Sequence, residues 1–220
     1  MKRFKINKKT FLWAVLIGLM GTVILTSVQA AAFRAEKEEL QQRLDREIQE
    51  GIAEEIFRLH VVANSDSQED QELKMAVKKT VVDCLAQGLG EKAGLEETRN
   101  WVLENLSDIE NAAAETIKSQ GETYPVAASV ETAYFPDKTY GDCTFPAGEY
   151  EALNIRIGKA EGKNWWCVLY PSLCFIDDTW GIVSQEKKEE LKEVLTEEEF
   201  QEILGNPEEK KKVRVGFKWF

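Results

Sequence analysis

Behind the cationic flank MKRFKINKK, residues Phe11 to Val28 form an unbroken run of 18 apolar or small residues. That length approaches the ~20 residues a helix needs to cross a bilayer, and few water-soluble folds can hide it. The run ends at Ser27-Val28-Gln29-Ala30-Ala31-Ala32, where Val28-Gln29-Ala30 and Ala30-Ala31-Ala32 both read as small-x-small cleavage sites. Residues 1–32 are therefore a cleaved signal peptide or a retained membrane anchor. Either way the basic amino terminus stays in the cytoplasm and the remainder crosses the membrane.

Charge follows the same division. The first thirty residues hold five basic residues and no acid, leaving 23 basic against 39 acidic residues, about -16, in the remainder. A body that acidic repels nucleic acid, whose binders carry basic patches, so nucleic-acid binding is excluded. With 220 residues, the chain is expected to hold one domain plus appendages.

Residues 33–55 are rich in helix formers with opposite charges three and four apart, and their apolar stripe is thin: Leu40, Leu44, Ile48, Ile52. This pattern predicts a solvated helical stalk, with the globular body spanning 56–220. IFRLHVVA reads as a strand. NSDSQEDQELKMAVKKTVVDCLAQGLG reads as a helix with capping residues Asn64, Ser65 and Asp66 and a core stripe of Leu73, Val77, Val81 and Cys84. A second helix is expected from about Glu96 to Gln120, and a strand over Pro125 to Pro136. DKTYGDCTFPAGEY reads as a turn-rich link. Glu151 to Gly158 alternates as a half-buried strand, with KAEGKN a turn and NWWCVLY its hairpin partner. Helical segments around Lys187 to Leu204 and a last strand VRVGFKWF complete the expectation. The fold class is α+β: a single domain with helices packed on one face of a largely antiparallel sheet.

Four cysteines in an exported chain allow disulfides. Between Cys167 and Cys174, Pro171 turns the chain so that the two can bridge, and closing so short a loop stabilises by roughly 2.5 kcal/mol on a chain-entropy account. Cys84 reads as a small buried hydrophobe, and Cys143 has no obvious partner. One histidine and no C-x-x-C pair argue against zinc. Asn64-x-Asp66-x-Gln68-x-Asp70-x-Glu72 imitates a calcium loop but carries Glu69 and Met75 where such a loop needs Gly and Glu. Glu149, Glu151, Asp177 and Asp178 offer carboxylates for an exported cell-wall hydrolase, with nothing to fix their separation. His60, mid-strand, reads as structural. Adjacent Trp165 and Trp166 point to opposite faces of a strand, so one is a candidate exposed anchor.

Two blocks, FRLHVVANSDSQEDQELK (Phe57 to Lys74) and YGDCTFPAGEYEALNIRIGKAEGKNWWCVLYPSLCFID (Tyr140 to Asp177), closely resemble the hallmark blocks of the stage II sporulation protein R family. The resemblance runs from about Ile56 to Asp178. It implies a protein exported from the forespore into the intermembrane space, secreted or tethered by its N-terminal helix. There it activates a membrane-embedded aspartic protease of the mother cell that processes pro-sigma-E. It implies no catalytic residue, no cofactor, no metal and no small-molecule substrate. The matching positions are Asn64, Ser65, Asp66, Asp70, Gln71, Leu73, Lys74, Pro146, Gly148, Glu149, Tyr150, Trp165, Trp166, Cys167 and Cys174. The candidate partner-binding residues are Asn64, Ser65, Asp66, Asp70, Tyr140, Pro146, Gly148, Glu149, Tyr150, Asn164, Trp165 and Trp166. The chain departs from the family at Val77-Lys78-Lys79-Thr80-Val81, where an Arg-Asp pair is usual, and at Cys143, where an aliphatic residue is expected. Rival readings are the wall hydrolase and an inhibitor or structural envelope domain.

Overall fold

The computed structural model describes residues 7–89, 93–174 and 183–205. The expected last strand and Asp177 and Asp178 lie outside them. Residues Met1–Glu47 and Ile48–Phe220 form two compact units. The first is most of helix α1 (Lys8–Glu55). Its most apolar 18-residue window has a mean hydropathy of 2.2, and none of it is buried. It is long and apolar enough to cross a membrane, and Leu12, Trp13, Ile17 and Met20 are all at least 60% exposed.

The second unit is α+β. Its last α1 turns are core rather than stalk, because Ile52 is fully buried. There follow β1 (Phe57–Val62), α2 (Gln68–Gly88), α3 (Leu95–Glu104), α4 (Leu106–Ser119), β2 (Val126–Phe135), β3 (Lys138–Tyr140), β4 (Cys143–Phe145), β5 (Gly148–Ile157), β6 (Asn164–Tyr170), α5 (Gln185–Val194) and α6 (Glu197–Leu204). The four-stranded sheet has the order β2-β5-β1-β6. Two of its pairings are antiparallel and β1–β5 is parallel.

That order corrects the expected hairpin. β5 and β6 are not paired; β1 lies between them. Ala152, Leu153, Asn154 and Ile155 are buried in succession, as befits a strand with neighbours on both edges and cover on both faces. The six-residue connection from Gly158 to Lys163 crosses the end of β1 instead of turning back. The Gly162 amide donates to the Ala63 carbonyl at 3.0 Å and the Glu161 amide to Asn64 at 3.3 Å. Gly158 sits at φ +59°, a conformation that favours glycine.

One sheet face packs under α2, α3 and α4. Leu59, Val61, Leu153, Ile155 and Ile157 meet Leu73, Val77, Val81, Val102, Ile109, Ala113 and Ile117. The α2 stripe continues through Val82 and Leu85, and Cys84 is only half-buried, one position off the core line. Ser67 caps α2, its hydroxyl accepting from the Asp70 amide. The expected single helix over 96–120 breaks at Asn105, whose ψ of 15° stops α3. The opposite face buries Ile52, Ile56, Tyr150, Ala152 and Val168 with Phe135, Cys143, Phe145, Leu191, Phe200 and Ile203. Part of that cover is the β3–β4 hairpin, which the sequence presented only as a link. Gly141, at φ +57°, opens its two-residue turn.

The crossing generates a test. A Cβ added at Gly162 strikes the Ser65 backbone carbonyl, which cannot swing aside as a side chain would. Gly162→Ala is expected to lower unfolding free energy by about 1–3 kcal/mol, read from urea titration. Unchanged stability would mean that the connection does not lie against the β1–α2 loop.

Candidate interaction surface

The candidate residues of the first block form a clasp around the strand crossing. Asp70, only 6% exposed, receives hydrogen bonds from Asn64 Nδ2 (2.8 Å) and Ser65 Oγ (2.5 Å). These bonds, Ser65 foremost, hold its carboxyl below the ordinary range against the opposing effect of burial. Asn64 Oδ1 accepts from the Lys159 amide (3.0 Å) and Asp66 Oδ1 from the Lys163 amide (2.7 Å). Gln71 Nε2 donates to the Ser65 carbonyl at 2.8 Å, and Lys74 Nζ bridges Gln71 Oε1 and the Lys163 carbonyl at 2.7 and 3.1 Å. Residues suggestive of a calcium loop thus spend their oxygens on backbone amides and on one another.

The second block builds an aromatic cage around a buried cation. Arg58 is fully buried. Its guanidinium carbon lies 4.1 Å from the centre of Phe135, 4.8 Å from Tyr150 and 5.7 Å from Phe145. Nη2 donates to the Tyr140 hydroxyl at 3.2 Å, and that hydroxyl donates to the Trp166 carbonyl at 2.8 Å. Among the described residues, Nε and Nη1 have no hydrogen-bond partner, and no carboxylate pairs with Arg58. Burial pulls its pKa down, against the Tyr140 and Tyr150 hydroxyls. Guanidinium is weakly hydrated and planar, so ring faces replace part of what water gave it. Tyr150 is anchored by its own hydroxyl, which donates to the Pro146 carbonyl at 2.7 Å. A Cβ at Gly148 would displace the end of the Gln49 side chain, which donates to the carbonyl of exposed Glu149 at 3.3 Å.

Beyond this cage the same sheet face is open. His60, half-buried, stacks on Trp166 with ring centres 3.8 Å apart and planes 8° from parallel. Register dictates the pairing: His60 lies opposite Asn154 on β5 and Trp166 on β6. The Asn154 amide nitrogen donates to the Ala152 carbonyl, which turns Oδ1 toward His60 Nδ1 at 2.8 Å. Nε2 faces exposed Asn164 at 2.9 Å. Burial lowers the His60 pKa and Arg156 lowers it further, while the Asn164 and Asn154 bonds and Glu131 oppose this. Next to the stack, Arg156 is ion-paired with Glu131 across β5 and β2. The result is a half-exposed surface of one stacked ring pair, an exposed amide and a charge pair.

Ten of the twelve candidates divide three ways, apart from exposed Glu149 and from Trp165. Asn64, Ser65, Asp66 and Asp70 serve the clasp, and Tyr140, Pro146, Gly148 and Tyr150 the cage. Only Asn164 and Trp166 belong to the open surface. Trp165 points to the helix face, half-buried, with Lys78 Nζ 5.0 Å over its ring. Cys167 and Cys174 are disulfide-bonded, while Cys84 and buried Cys143 are both free thiols. Glu151 is tied to Arg99 at 2.8 Å. Among the described residues no group of three or more His, Cys, Asp or Glu converges as metal ligands. Sequence reasoning missed Arg58 and passed over His60; their shared parity in FRLHVV was the available signal.

A guanidinium buried without a carboxylate costs several kcal/mol that three ring contacts only partly offset. Arg58→Met, which keeps the volume, is expected to raise unfolding free energy by about 1 kcal/mol or more, whereas Arg58→Ala lowers it. A loss of stability in Arg58→Met equal to that in Arg58→Ala would contradict this account of the cage.

The family model for stage II sporulation protein R matches residues 53–180, which contain the clasp, the cage and the open surface. The stage II sporulation protein R of Bacillus subtilis (strain 168) is 35% identical over 162 residues, covering 73% of this chain and 72% of the relative. No solved structure matches. With the family model covering more than half of the chain and the relative nearly three quarters, this protein belongs to the stage II sporulation protein R family, whose place is in endospore formation.

Proposed function

We propose that the chain is an exported signalling protein, made in the forespore, that activates a membrane-embedded aspartic protease of the mother cell to process pro-sigma-E. The observation that carries this reading is the family match over a folded body that follows a membrane-length apolar helix. The partner surface is the open sheet face around Trp166, His60, Asn164 and Arg156. Aromatic and arginine side chains dominate binding hot spots, and here a stacked pair is held rigid at little entropic cost.

Activation of this kind needs only that the protein bind the active state of the protease better than the inactive one. Moving such an equilibrium from 1:99 to 99:1 takes about 5.5 kcal/mol of preference. A retained N-terminal helix supports it by confining the body near the membrane, raising effective concentration without any new contact.

Co-expression in a non-sporulating host, with the cognate protease and pro-sigma-E followed by immunoblot, tests the reading. Processing is expected only when the chain is exported. Trp166→Ala and Arg156→Glu are expected to reduce it roughly 30-fold, the equivalent of about 2 kcal/mol at a hot spot, with circular dichroism unchanged. Absence of processing with all three proteins folded would remove the reading. Full processing by both variants would remove the surface assigned to it.

A further inference from the structure

The four-stranded sheet has two edges, and they are finished differently. On β6 the edge carbonyls are taken: the Trp166 carbonyl accepts from the Tyr140 hydroxyl at 2.8 Å, and the Val168 carbonyl from the Leu173 amide at 3.1 Å. On β2 they are not. The Pro125 carbonyl accepts from the Gly158 amide opposite it, so the odd-numbered residues of β2 carry the ladder to β5. The even-numbered ones point their N–H and C=O groups away from the sheet. Ala128 agrees, since its amide donates outward to Glu110 Oε2 on α4 at 3.0 Å. The outward backbone groups of Val130, Thr132 and Tyr134 have no hydrogen bond among the described residues.

An edge of this length is ordinarily blunted by lysine, proline, a bulge or a covering element. Within its ten residues β2 has no lysine and no proline, and its register with β5 runs unshifted from Val126 to Phe135. Tyr134, on the uncovered stretch, is 64% exposed, more than any other large apolar side chain of the body among the described residues. The one charged side chain of the strand, Glu131, is ion-paired with Arg156. This edge therefore escapes the repulsion that so acidic a body otherwise sets against a second copy.

The edge is also complementary to itself. When two β2 strands run antiparallel with Thr132 opposite its counterpart, Val130 of each faces Tyr134 of the other. Thr–Thr and aromatic–β-branched pairs are both favourable across strands. These are hydrogen-bonded pairs, so every outward N–H and C=O of the three residues is satisfied. Glu131 falls opposite Ala133 rather than opposite another acid. The next hydrogen-bonded pair, Ala128 with Pro136, ends the ladder: Pro136 has no N–H, and the Ala128 amide is already taken by Glu110.

We propose that β2 is a self-pairing edge through which two copies of this chain join, antiparallel and two-fold about Thr132, into one eight-stranded sheet. Both open faces then lie on the same side of that sheet. The contact involves few residues a side, below the ~1,000 Å² of a lasting interface, and so relies on confinement. The membrane-length helix supplies it by holding both bodies at one surface, which raises their effective concentration. The pairing stands on the edge itself and does not depend on the protease-activation reading.

Disulfide trapping tests it. The full chain carrying Cys84→Ser, with Cys143 buried, is placed in vesicles of zwitterionic lipid, oxidised with copper phenanthroline and read on non-reducing gels. Cα atoms of a hydrogen-bonded pair stand ~5.5 Å apart, within disulfide reach. Thr132→Cys is therefore expected to dimerise at least about tenfold faster than Lys79→Cys, exposed on α2, which reports chance encounters. Val130→Cys alone and Tyr134→Cys alone should stay at the chance rate, because an offset of four residues puts identical positions roughly 13 Å apart. A mixture of these two should crosslink as Thr132→Cys does. Adding Thr132→Pro to both removes an outward N–H without touching the β5 ladder. That should return the mixture to the chance rate with circular dichroism unchanged. Rates equal to Lys79→Cys throughout, or fastest trapping at Val130→Cys or Tyr134→Cys alone, would overturn the proposal. So would crosslinking that survives Thr132→Pro, or trapping that needs the cognate protease, which would make β2 the seat of a partner's strand instead of a second copy.

Discussion

A connection of six residues, Gly158 to Lys163, carries the chain from β5 across the end of β1 to β6, and the rest of the body depends on that crossing being held. Short connections between adjacent antiparallel strands need only a turn. One that skips a strand leaves its own amides and those of the strand it caps to be satisfied. The clasp does this: side chains of the β1–α2 loop accept the Lys159 and Lys163 amides, and Asp70 ties that loop to the first turn of α2. With the crossing held, β1 becomes a central strand. His60 is then flanked by Asn154 on one side and Trp166 on the other, an arrangement a β5–β6 hairpin would not give.

The cage around Arg58 works at the other end of the same face. A cation sealed among Phe135, Tyr150 and Phe145 is a poor source of stability, because desolvation outweighs what ring faces return. What it gives is position. Through the Tyr140 hydroxyl the guanidinium is joined to the backbone of Trp166, and through Phe135, 4.6 Å from the Trp166 ring, it is joined to the stack. The half-exposed ring pair therefore rests on a buried polar network rather than on a loop, which suits a surface that must present one geometry to a partner.

Much of this was legible in the sequence. The stripe Leu73, Val77, Val81 located α2, the alternation in PVAASVETAYFP located β2, and the Cys167–Cys174 spacing located the bridge. The hairpin reading of β5 and β6 failed because a glycine-containing connection of six residues serves a turn and a crossing equally well. Asn154 and Arg156 gave a strand whose middle is buried on both faces the look of an alternating one. The Asn64-to-Asp70 block stood out for its chemistry, yet nothing local tells whether carboxylates face a partner or a backbone ninety residues away. Arg58 escaped notice because arginine in an alternating strand ordinarily marks the solvent side. Only the distant Phe135, Phe145 and Tyr150 make it interior.

The central claim is that the open face around Trp166, and not the helix-covered face, meets the partner. Site-specific photo-crosslinking during co-expression with the cognate protease tests it most directly. A crosslinking residue placed at exposed Asn164 or Arg156 is compared with one at Lys79, exposed on α2. The account predicts protease adducts from the first two positions and none from Lys79. Adducts from Lys79 alone, or none from any position while pro-sigma-E is being processed, would contradict it.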